Sequence, residues 1–539
     1  MFTMICGVIL MTILFLFNLD TAPMFVSSTL GIIGVILIII SIKRKSTQQF
    51  YFNYIDLLSA ALIIVVATLV GIALFGTDLH LAYINIDPAA HYYMAQNNLV
   101  NGEHSGMYFN EVNNALIING LSLFTDSDFT NYKLYLLTDV GMLAFSGLML
   151  YTLITEFAKS KFQSGICAII AIFYMLGYSL NNMIFGFGYL GTATTLICFL
   201  IIVCKLFWDQ KICFKFFAPL ISMGLLCVAL CYMLFAPVIW LTIAIIIFIY
   251  CRRNKISIKK TTLIEISIFI IPLILAIKFC FFDFFLAEIS GISNQLRANG
   301  GLYPNNFANF LLFIPAAIFA FYQNFRKKQS FVTTLFVLTW LLFVILSIIA
   351  KHFGFISPYY CAKTYYVMWL MAFLIFTDGI FQLANKHFNL LATYSVIILP
   401  QIIGLSFING NALMDVFEYN FKWIRAHSII SNEVISGYQF AKDNIVNQGE
   451  KITWLTNLNQ YDRAFWFYSM QAINTNECNY CRAWDYNQQD LITVLTESNV
   501  KYVGIYKYDP SSYAPYQTII DTDDIVFEST DVAIYKLPS

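Results

Sequence analysis

Residues 76–131 read GTDLHLAYINIDPAAHYYMAQNNLVNGEHSGMYFNEVNNALIINGLSLFTDSDFTN and lie between two long apolar runs. The stretch holds six carboxylates and three of the chain's six histidines, but no lysine or arginine. Charge beside a membrane is costly unless it has a use. The stretch is therefore predicted to be a catalytic loop at the membrane edge, with Asp87 at its centre.

The composition is that of a polytopic membrane protein. The mean hydropathy is +0.70, and 59% of the residues are hydrophobic while 12% are charged. These values lie far outside the range of soluble domains. The formal net charge of zero points to no particular partner, and membrane lipids rather than a nucleic acid are expected around the chain.

The apolar runs predict about 13 membrane-spanning helices. The first lacks a basic flank and a cleavage site, so it is interpreted as a span rather than a signal peptide. The short run at 236–251 and the Asn181-Asn182 break are alternative candidates for re-entrant segments. The predicted spans are 2–18, 24–42, 55–75, 133–157, 164–181, 190–208, 215–235, 236–251, 261–286, 309–325, 331–350, 363–384 and 389–408.

The basic residues predict the orientation of these spans. If the spans alternate, one side collects nearly all the Lys and Arg of the connections, and the positive-inside rule makes it the cytoplasm. The N-terminus is then cytoplasmic, and loops 76–131, 287–308 and 351–362 face outward with the tail. The basic residues on the predicted cytoplasmic side are Lys43, Arg44, Lys45, Lys159, Lys161, Lys211, Lys215, Arg252, Arg253, Lys255, Lys259, Lys260, Arg326, Lys327, Lys328 and Lys386.

The chain divides into a membrane region, 1–408, and a tail, 409–539, of mixed polar and aromatic composition. The tail is predicted to be a small extracytoplasmic α/β domain, joined by an amphipathic helix within 418–433. It contains no glycine-rich phosphate loop, GxSxG or HExxH motif, so chemistry is expected in the membrane region. The predicted strands are Lys451–Leu455, Lys501–Tyr506 and Asp531–Leu537, and the predicted helices are Ile435–Val446 and Asp490–Ser498.

Three stretches carry a family resemblance. They are NIDPAAHYYMAQNNLVNG at 85–102, SPYYCAKTYYVMWL at 357–370, and NVKYVGIYKYD at 499–509 with the closing VAIYKLPS. With the acidic first outward loop, about a dozen spans and a C-terminal domain on the same face, the chain resembles the C-type glycosyltransferase superfamily (GT-C). Members transfer sugars from polyprenyl-phosphate donors.

The resemblance implies that Asp87 is the general base of sugar transfer. The chemistry gives an independent reason, because a base must take the proton of the acceptor hydroxyl, and a carboxylate at the outer bilayer edge can meet the lipid-linked sugar there. The alternative is that Asp87-Pro88 caps a short interfacial helix, a favourable pair at a helix start. The two roles are compatible.

Other polar residues of the first loop are further candidates. His91 follows Asp87 by four residues, so a helix would place both on one face. It is a second catalytic candidate, although a hydrogen-bonded interfacial histidine is an equally ordinary interpretation. Candidate substrate-binding residues in the same loop are Tyr92, Glu103, Asp126 and Asp128, and further acid–base candidates are His104 and Glu111.

The donor phosphate requires a cation on the outward side. The candidates are Arg297, in a loop rich in Gly and Asn, and Lys363, which matches the family's tendency to place a basic residue there. Lysine at a span end also snorkels to lipid headgroups. Tyr359, Tyr360 and His352 beside Lys363 complete the predicted substrate-binding set. Lys278 is expected to form a structural pair with Asp283.

Metal dependence is not favoured. Some GT-C enzymes, notably oligosaccharyltransferases, hold a divalent metal with acids from two outward loops. The second outward connection here, NNMIFGFGYL at 181–190, has no acid, so no cofactor is expected. Cys478 and Cys481 are interpreted as a possible small disulfide without a catalytic role, since zinc would need a second pair.

Three functions fit these features. The first is a hexosyl- or pentosyltransferase that moves a sugar from a polyprenyl-phosphate donor to a glycan, lipid or protein of the cell envelope. The second is a polymerase or ligase of polyprenyl-diphosphate-linked glycans. The third is a transporter or flippase of lipid-linked sugars, which is disfavoured because the chain shows no internal repeat and its acids gather in one outward loop.

Overall fold

The computed structural model describes residues 54–82, 87–100, 118, 131–276, 310, 313–327, 330–386, 415–424, 430–456, 461–471, 488–507 and 524–537. Within these ranges the chain is a polytopic helical membrane protein with a small C-terminal α/β domain, as the sequence predicts. The first two and the last predicted spans lie outside the described residues. So do Glu103, Asp126, Asp128, His104, Glu111, Arg297, Lys278, Asp283, Cys478 and Cys481.

The membrane region is an assembly of helices around a shared core. Helix α2 is short and half-polar, whereas most of the others are long and apolar. The helices are α1 Tyr54–Phe75, α2 Asp87–Val100, α3 Asn131–Ile154, α4 Lys161–Tyr174, α5 Leu180–Ile184, α6 Gly188–Trp208, α7 Phe214–Cys231, α8 Ala236–Arg253, α9 Ile258–Ala276, α10 Ile314–Lys327, α11 Phe331–His352 and α12 Pro358–Lys386.

Eight helical segments in the described ranges are long and apolar enough to cross a membrane, and all eight match predicted spans. Helices α9 and α10 overlap the predicted spans 261–286 and 309–325, but their described parts are not among these eight. The total of about 13 spans therefore stays a prediction. The eight are Tyr54–Phe75, Asn131–Phe157, Lys161–Ile184, Gly188–Trp208, Phe214–Cys231, Met233–Arg253, Phe331–His352 and Pro358–Asn385.

Neither suspected re-entrant segment is one in the structure. Residues 233–235 form a 3-10 turn that runs directly into α8, so Met233–Arg253 is one full-length span. Asn181 and Asn182 lie in α5, which continues α4 through a π-helical turn at Met175–Ser179. The wider turn changes the register of the helix, and it lets Asn420 donate to the carbonyls of Leu176 and Gly177 at 2.9 and 2.8 Å.

A buried network of polar side chains links two helices inside the membrane region. On α12, Asp378 is buried and accepts from the Asn324 amide at 2.7 Å and from the Gln382 amide at 2.7 Å. An unsatisfied buried carboxylate would cost several kcal/mol, so this network ties α10 to α12. Its hydrogen bonds identify it as a structural clamp.

Helices α10 and α12 also cross very closely. A Cβ added at Gly379 would lie 2.3 Å from the carbonyl oxygen of Ala316, which is backbone and has no rotamer to escape through. Small residues at membrane helix crossings permit this approach. The close crossing therefore depends on glycine, which has no side chain, at position 379.

Gly379→Ala is expected to destabilise the protein by about 1–3 kcal/mol, because the α10–α12 crossing must open. Thermal unfolding of the purified protein in detergent measures this as a lower Tm. Gly141→Ala is the matched control, because a Cβ there meets nothing within 4 Å. Equal Tm values for the two variants would contradict the close crossing.

The C-terminal domain is a mixed four-stranded sheet with helices packed on it. Strand order is β1-β2-β4-β3, with β1 and β2 parallel and the other pairs antiparallel. The sequence missed β3 and α15. The elements are α13 Asp415–Ile424, α14 Asn432–Asn444, β1 Lys451–Leu455, α15 Tyr461–Met470, α16 Gln488–Glu497, β2 Val500–Tyr506, β3 Ile525–Glu528 and β4 Val532–Lys536.

The C-terminal domain packs directly against α2 and the residues just before it. Leu81 and Ile430 form an isolated antiparallel bridge, and the Trp423 indole donates to the carbonyl of Ala82 at 3.4 Å. Helix α15 lies along α2, where the rings of Trp466 and Tyr92 are 5.6 Å apart. The domain therefore lies on the same side of the membrane region as α2 and helps to position it.

Candidate active site

Helix α2 begins at Asp87, directly before Pro88. A proline at the first turn of a helix has a suitable φ and loses no hydrogen bond, and an acid there interacts favourably with the helix dipole. Ala89, Tyr92 and Ala95 are fully buried at a spacing of three residues, so one face of α2 is packed into the protein. The predicted capping role of the Asp87-Pro88 pair agrees with this helix start.

A tight turn between α5 and α6 supports the start of α2. Gly186 has φ +75°, and a Cβ there would lie 2.6–2.7 Å from ring atoms of Pro88. The backbone N–H groups of Phe185 and Phe187 donate to the carbonyls of Asn181 and Asn182 at 3.1 and 2.8 Å. Only glycine tolerates both the positive φ and the close approach. The turn therefore fixes the position of Asp87 at the start of α2.

Asp87 lies in a half-buried position close to two cationic or potentially cationic side chains. Burial raises the pKa of Asp87 above its ordinary value, and the nearby His91 and Lys363 act in the opposite direction and partly offset this rise. Burial disfavours the charged form of a carboxyl group, whereas neighbouring positive charge favours it. The pKa of Asp87 is thus set by two opposing effects, with burial the larger.

His91 is buried on the same helix and interacts electrostatically with Asp87. Its ring lies 5.3 Å from the ring of Tyr189, centroid to centroid, at a tilt of 48°. The structure therefore brings together the two residues that the sequence proposes as catalytic. It also adds Tyr189, on the first turn of α6, as a neighbour of both His91 and the cation described next.

Lys363 is on the second turn of α12, and its side chain is only 1% exposed. Its ammonium group donates to the Tyr189 hydroxyl at 2.7 Å and interacts electrostatically with Asp87. A lysine that snorkels to headgroups would keep its ammonium in water. The burial of Lys363 inside the protein excludes that interpretation.

Aromatic rings surround the Lys363 ammonium group. The nearest ring centroid is that of Tyr359, at 4.1 Å. A cation close to an aromatic face is stabilised by the ring quadrupole, and more strongly where water is excluded. The other four rings are Phe187 at 5.1 Å, Tyr360 at 5.1 Å, Tyr189 at 5.2 Å and Tyr232 at 5.7 Å. We call these five residues the aromatic cage.

Not every predicted site residue joins this group. Tyr359 and Tyr360 are in the aromatic cage, but His352 is exposed at the end of α11 and its ring packs on Phe353. Tyr92 is 0% exposed, because it packs against Tyr135 and Trp466. Its surroundings are those of a packing residue, not of an interfacial or sugar-binding ring.

Gly186, Phe187, Tyr189 and Tyr232 are not among the site residues predicted from the sequence. The first three lie in NNMIFGFGYL, a connection interpreted only for its lack of acids. The alternation of glycine and aromatic residues there was a usable signal of close backbone approach beside large rings. Tyr232 follows α7 directly, and its stacking on Tyr189 at 5.7 Å depends on the tertiary fold.

The described residues contain no group of three or more His, Cys, Asp or Glu side chains that could hold a metal ion. Five of the first loop's acidic and histidine candidates, Glu103, His104, Glu111, Asp126 and Asp128, lie outside these residues. Metal independence therefore stays a prediction. The arrangement that the structure does show is a carboxyl group and an ammonium group, both withdrawn from water and close together.

Several solved structures resemble this chain, among them the following two. One is the archaeal oligosaccharyltransferase AglB from Archaeoglobus fulgidus in complex with an inhibitory peptide and a dolichol-phosphate, with a TM-score of 0.45 and 12% identity over 83% of this chain and 69% of AglB. The other is ArnT from Cupriavidus metallidurans bound to undecaprenyl phosphate, with a TM-score of 0.43 and 11% identity over 88% of this chain and 97% of ArnT.

No protein-family model and no curated protein matches the chain. Both structural likenesses are distant. By themselves they assign no function to the chain.

Proposed function

We propose that the protein is a membrane glycosyltransferase that takes a sugar from a polyprenyl-phosphate donor on the outer face of the membrane. The observation that supports this most is the pairing of Asp87 with Lys363, two groups of opposite charge that are withdrawn from water at the predicted outer ends of their elements. A base and a phosphate-binding cation are what sugar transfer from a lipid phosphate requires.

Lys363 is the proposed ligand of the donor phosphate. A buried ammonium group is costly to maintain unless a compensating charge lies nearby. Asp87 supplies part of that charge, and a bound phosphate would supply more. The compact lysine ammonium is a common phosphate ligand. The aromatic cage excludes water around it, which strengthens an ion–ion contact.

Asp87 is the proposed general base. In the transfer step the acceptor hydroxyl attacks the anomeric carbon of the sugar, and its proton passes to the Asp87 carboxylate. The new glycosidic C–O bond forms as the bond from the anomeric carbon to the phosphate oxygen breaks, and the polyprenyl phosphate leaves with the electron pair. A pKa raised by burial makes a carboxylate a stronger base near neutral pH.

Tyr359 and Tyr360 are proposed to contact the sugar. They begin α12 beside Lys363, and their rings meet edge to face at 5.3 Å. Tyr359 is half-buried, so part of its ring is accessible to a ligand. A sugar linked to a phosphate at Lys363 would lie within reach of this ring.

The test is sugar transfer by membranes that contain the full chain, supplied with radiolabelled polyprenyl-phosphate and polyprenyl-diphosphate sugars and native envelope acceptor. Transfer from a monophosphate donor is the expected result. Transfer from diphosphate donors alone would replace the proposal by a polymerase or ligase. Movement of a labelled lipid-linked sugar across vesicles without transfer would replace it by a transporter.

Gly186→Ala is expected to lower the transfer rate about 10²-fold. A Cβ at that position would displace Pro88, and with it Asp87, by up to about 1 Å. Radiolabelled transfer with the active donor measures the change. Gly449→Ala is the matched control, since Gly449 has a similar φ of +78° but no atom within 4 Å of the added Cβ. Equal losses in both variants would mean that backbone strain, not contact with Pro88, is responsible.

A further inference from the structure

Tyr189 lies beside the residues of the proposed transfer step but has no role in that step itself. Its ring is 2% exposed and stands between the catalytic and phosphate-binding candidates. The hydroxyl accepts a hydrogen bond from Lys363 at 2.7 Å, while the ring lies 5.3 Å from that of His91. One side chain therefore contacts both α2 and α12.

The ring of Tyr189 is fixed by its neighbours. It stacks on Tyr232 with the centroids 5.7 Å apart and 25° between the planes, and it meets Phe187 edge to face at 5.8 Å. A ring packed on several sides cannot turn away without opening a void in the core. The hydroxyl is therefore held at a constant place, and so is the hydrogen bond to Lys363.

A lysine side chain has four rotatable bonds and loses considerable entropy when it is held in one conformation. Before a phosphate arrives, the ammonium group needs an acceptor that keeps it buried and aimed. The Tyr189 hydroxyl is neutral, so it gives up the ammonium to a phosphate more readily than a carboxylate would. Such an arrangement prepares the cation for its ligand at little cost.

We propose that Tyr189 is a positioning residue for the donor, whose hydroxyl holds the Lys363 ammonium group in place to receive the donor phosphate. This inference rests on the proposed function, because it assumes that Lys363 binds phosphate. It goes beyond that function because it assigns a role to a hydroxyl group that neither reacts nor carries charge.

The experiment measures binding of undecaprenyl phosphate and of undecaprenol, the matching neutral lipid, to the full-length protein in nanodiscs. Tyr189→Phe removes only the hydroxyl and keeps the ring that packs on His91 and Tyr232. Tyr151→Phe is the control, since it removes a hydroxyl that donates to Asp56 at 2.8 Å and does not belong to the aromatic cage. Lys363→Met and the double variant with Tyr189→Phe complete a double-mutant cycle.

Tyr189→Phe is expected to weaken binding of undecaprenyl phosphate about tenfold, as loss of one hydrogen bond to a charged group would. Undecaprenol binding and the Tyr151→Phe control should stay within about twofold of the wild-type values. In the Lys363→Met background, Tyr189→Phe should cause no further loss, because the two residues act through one contact.

The remaining outcomes separate the two proposals. If Lys363→Met weakens phosphate binding but Tyr189→Phe does not, the role proposed for Tyr189 is wrong. The same holds if the losses of the two single variants add in the double variant. In both cases the proposed function stands. Equal weakening of both lipids by Tyr189→Phe would mean a general packing role and would also overturn the inference. If the wild type does not prefer the phosphate over the alcohol, both proposals fail.

Discussion

Asp87→Asn is expected to lower sugar transfer by about 10²- to 10⁴-fold, the usual contribution of a positioned base. Asparagine keeps the size of the side chain and can still cap α2, so the fold and the binding of the donor should be retained. Loss of the proton acceptor alone then accounts for the fall in rate. Single-turnover transfer with saturating donor measures the change.

Asp78→Asn is the matched control, because Asp78 is in the same outward stretch but its side chain is 66% exposed. Its transfer rate should stay within about twofold of the wild-type rate, as expected for an exposed surface group. If Asp87→Asn transfers as fast as this control, Asp87 only caps its helix. The base would then have to be one of the first-loop acids outside the described residues.

The pH profile of transfer gives an independent check on the same residue. A general base acts in its deprotonated form, so activity is lost as the pH falls through its pKa. Because burial raises the pKa of Asp87, the acidic limb should lie above the pH range in which an exposed aspartate titrates. A limb in the ordinary aspartate range would contradict the burial of the catalytic carboxyl.

Lys363→Met is expected to weaken binding of the donor about 100-fold. Truncating one member of a buried charged contact commonly costs about 2–5 kcal/mol of binding free energy, and a 100-fold loss lies within that range. Methionine keeps most of the length of the side chain and can fill the aromatic cage without a charge. Binding of undecaprenyl phosphate to the protein in nanodiscs measures the change.

The substitution should also move the acidic limb of the pH profile. The Lys363 charge lowers the pKa of Asp87, so its removal raises that pKa and shifts the limb to higher pH. Lys351→Met is the control, because Lys351 is exposed at the end of α11. An equal loss of phosphate binding in the control would point to general attraction of anions to this face.

The sequence singles out Asp87 and Lys363 as candidates because both lie near the edges of apolar runs, where charge is rare. Their neighbourhood could not be predicted in the same way. Tyr189 and Tyr232 are far from Asp87 and Lys363 in the sequence. A tyrosine within an apolar run has the same sequence context whether its ring lies beside a lysine ammonium group or packs in the core. Only the crossing of α6, α7 and α12 reveals that difference.

The membrane helices were predicted well because a bilayer requires long apolar segments whose backbone is satisfied internally. The C-terminal domain was harder. Strand β3 is short and alternates between half-buried and exposed residues, and α15 is only ten residues long. Tyr92 shows the same limit, because its burial depends on Trp466, which the sequence alone does not bring near it.

The contact between the C-terminal domain and the segment before α2 has a consequence for how the protein is made. The Trp423 indole meets the carbonyl of Ala82 across 341 residues of chain. During synthesis α2 is completed long before the elements that pack on it exist. Most of the polypeptide must therefore be made, and its later part must lie on the same side of the membrane region as α2, before these contacts can form. A chain interrupted before that point would contain its membrane helices but would lack the packing that holds α2 in position.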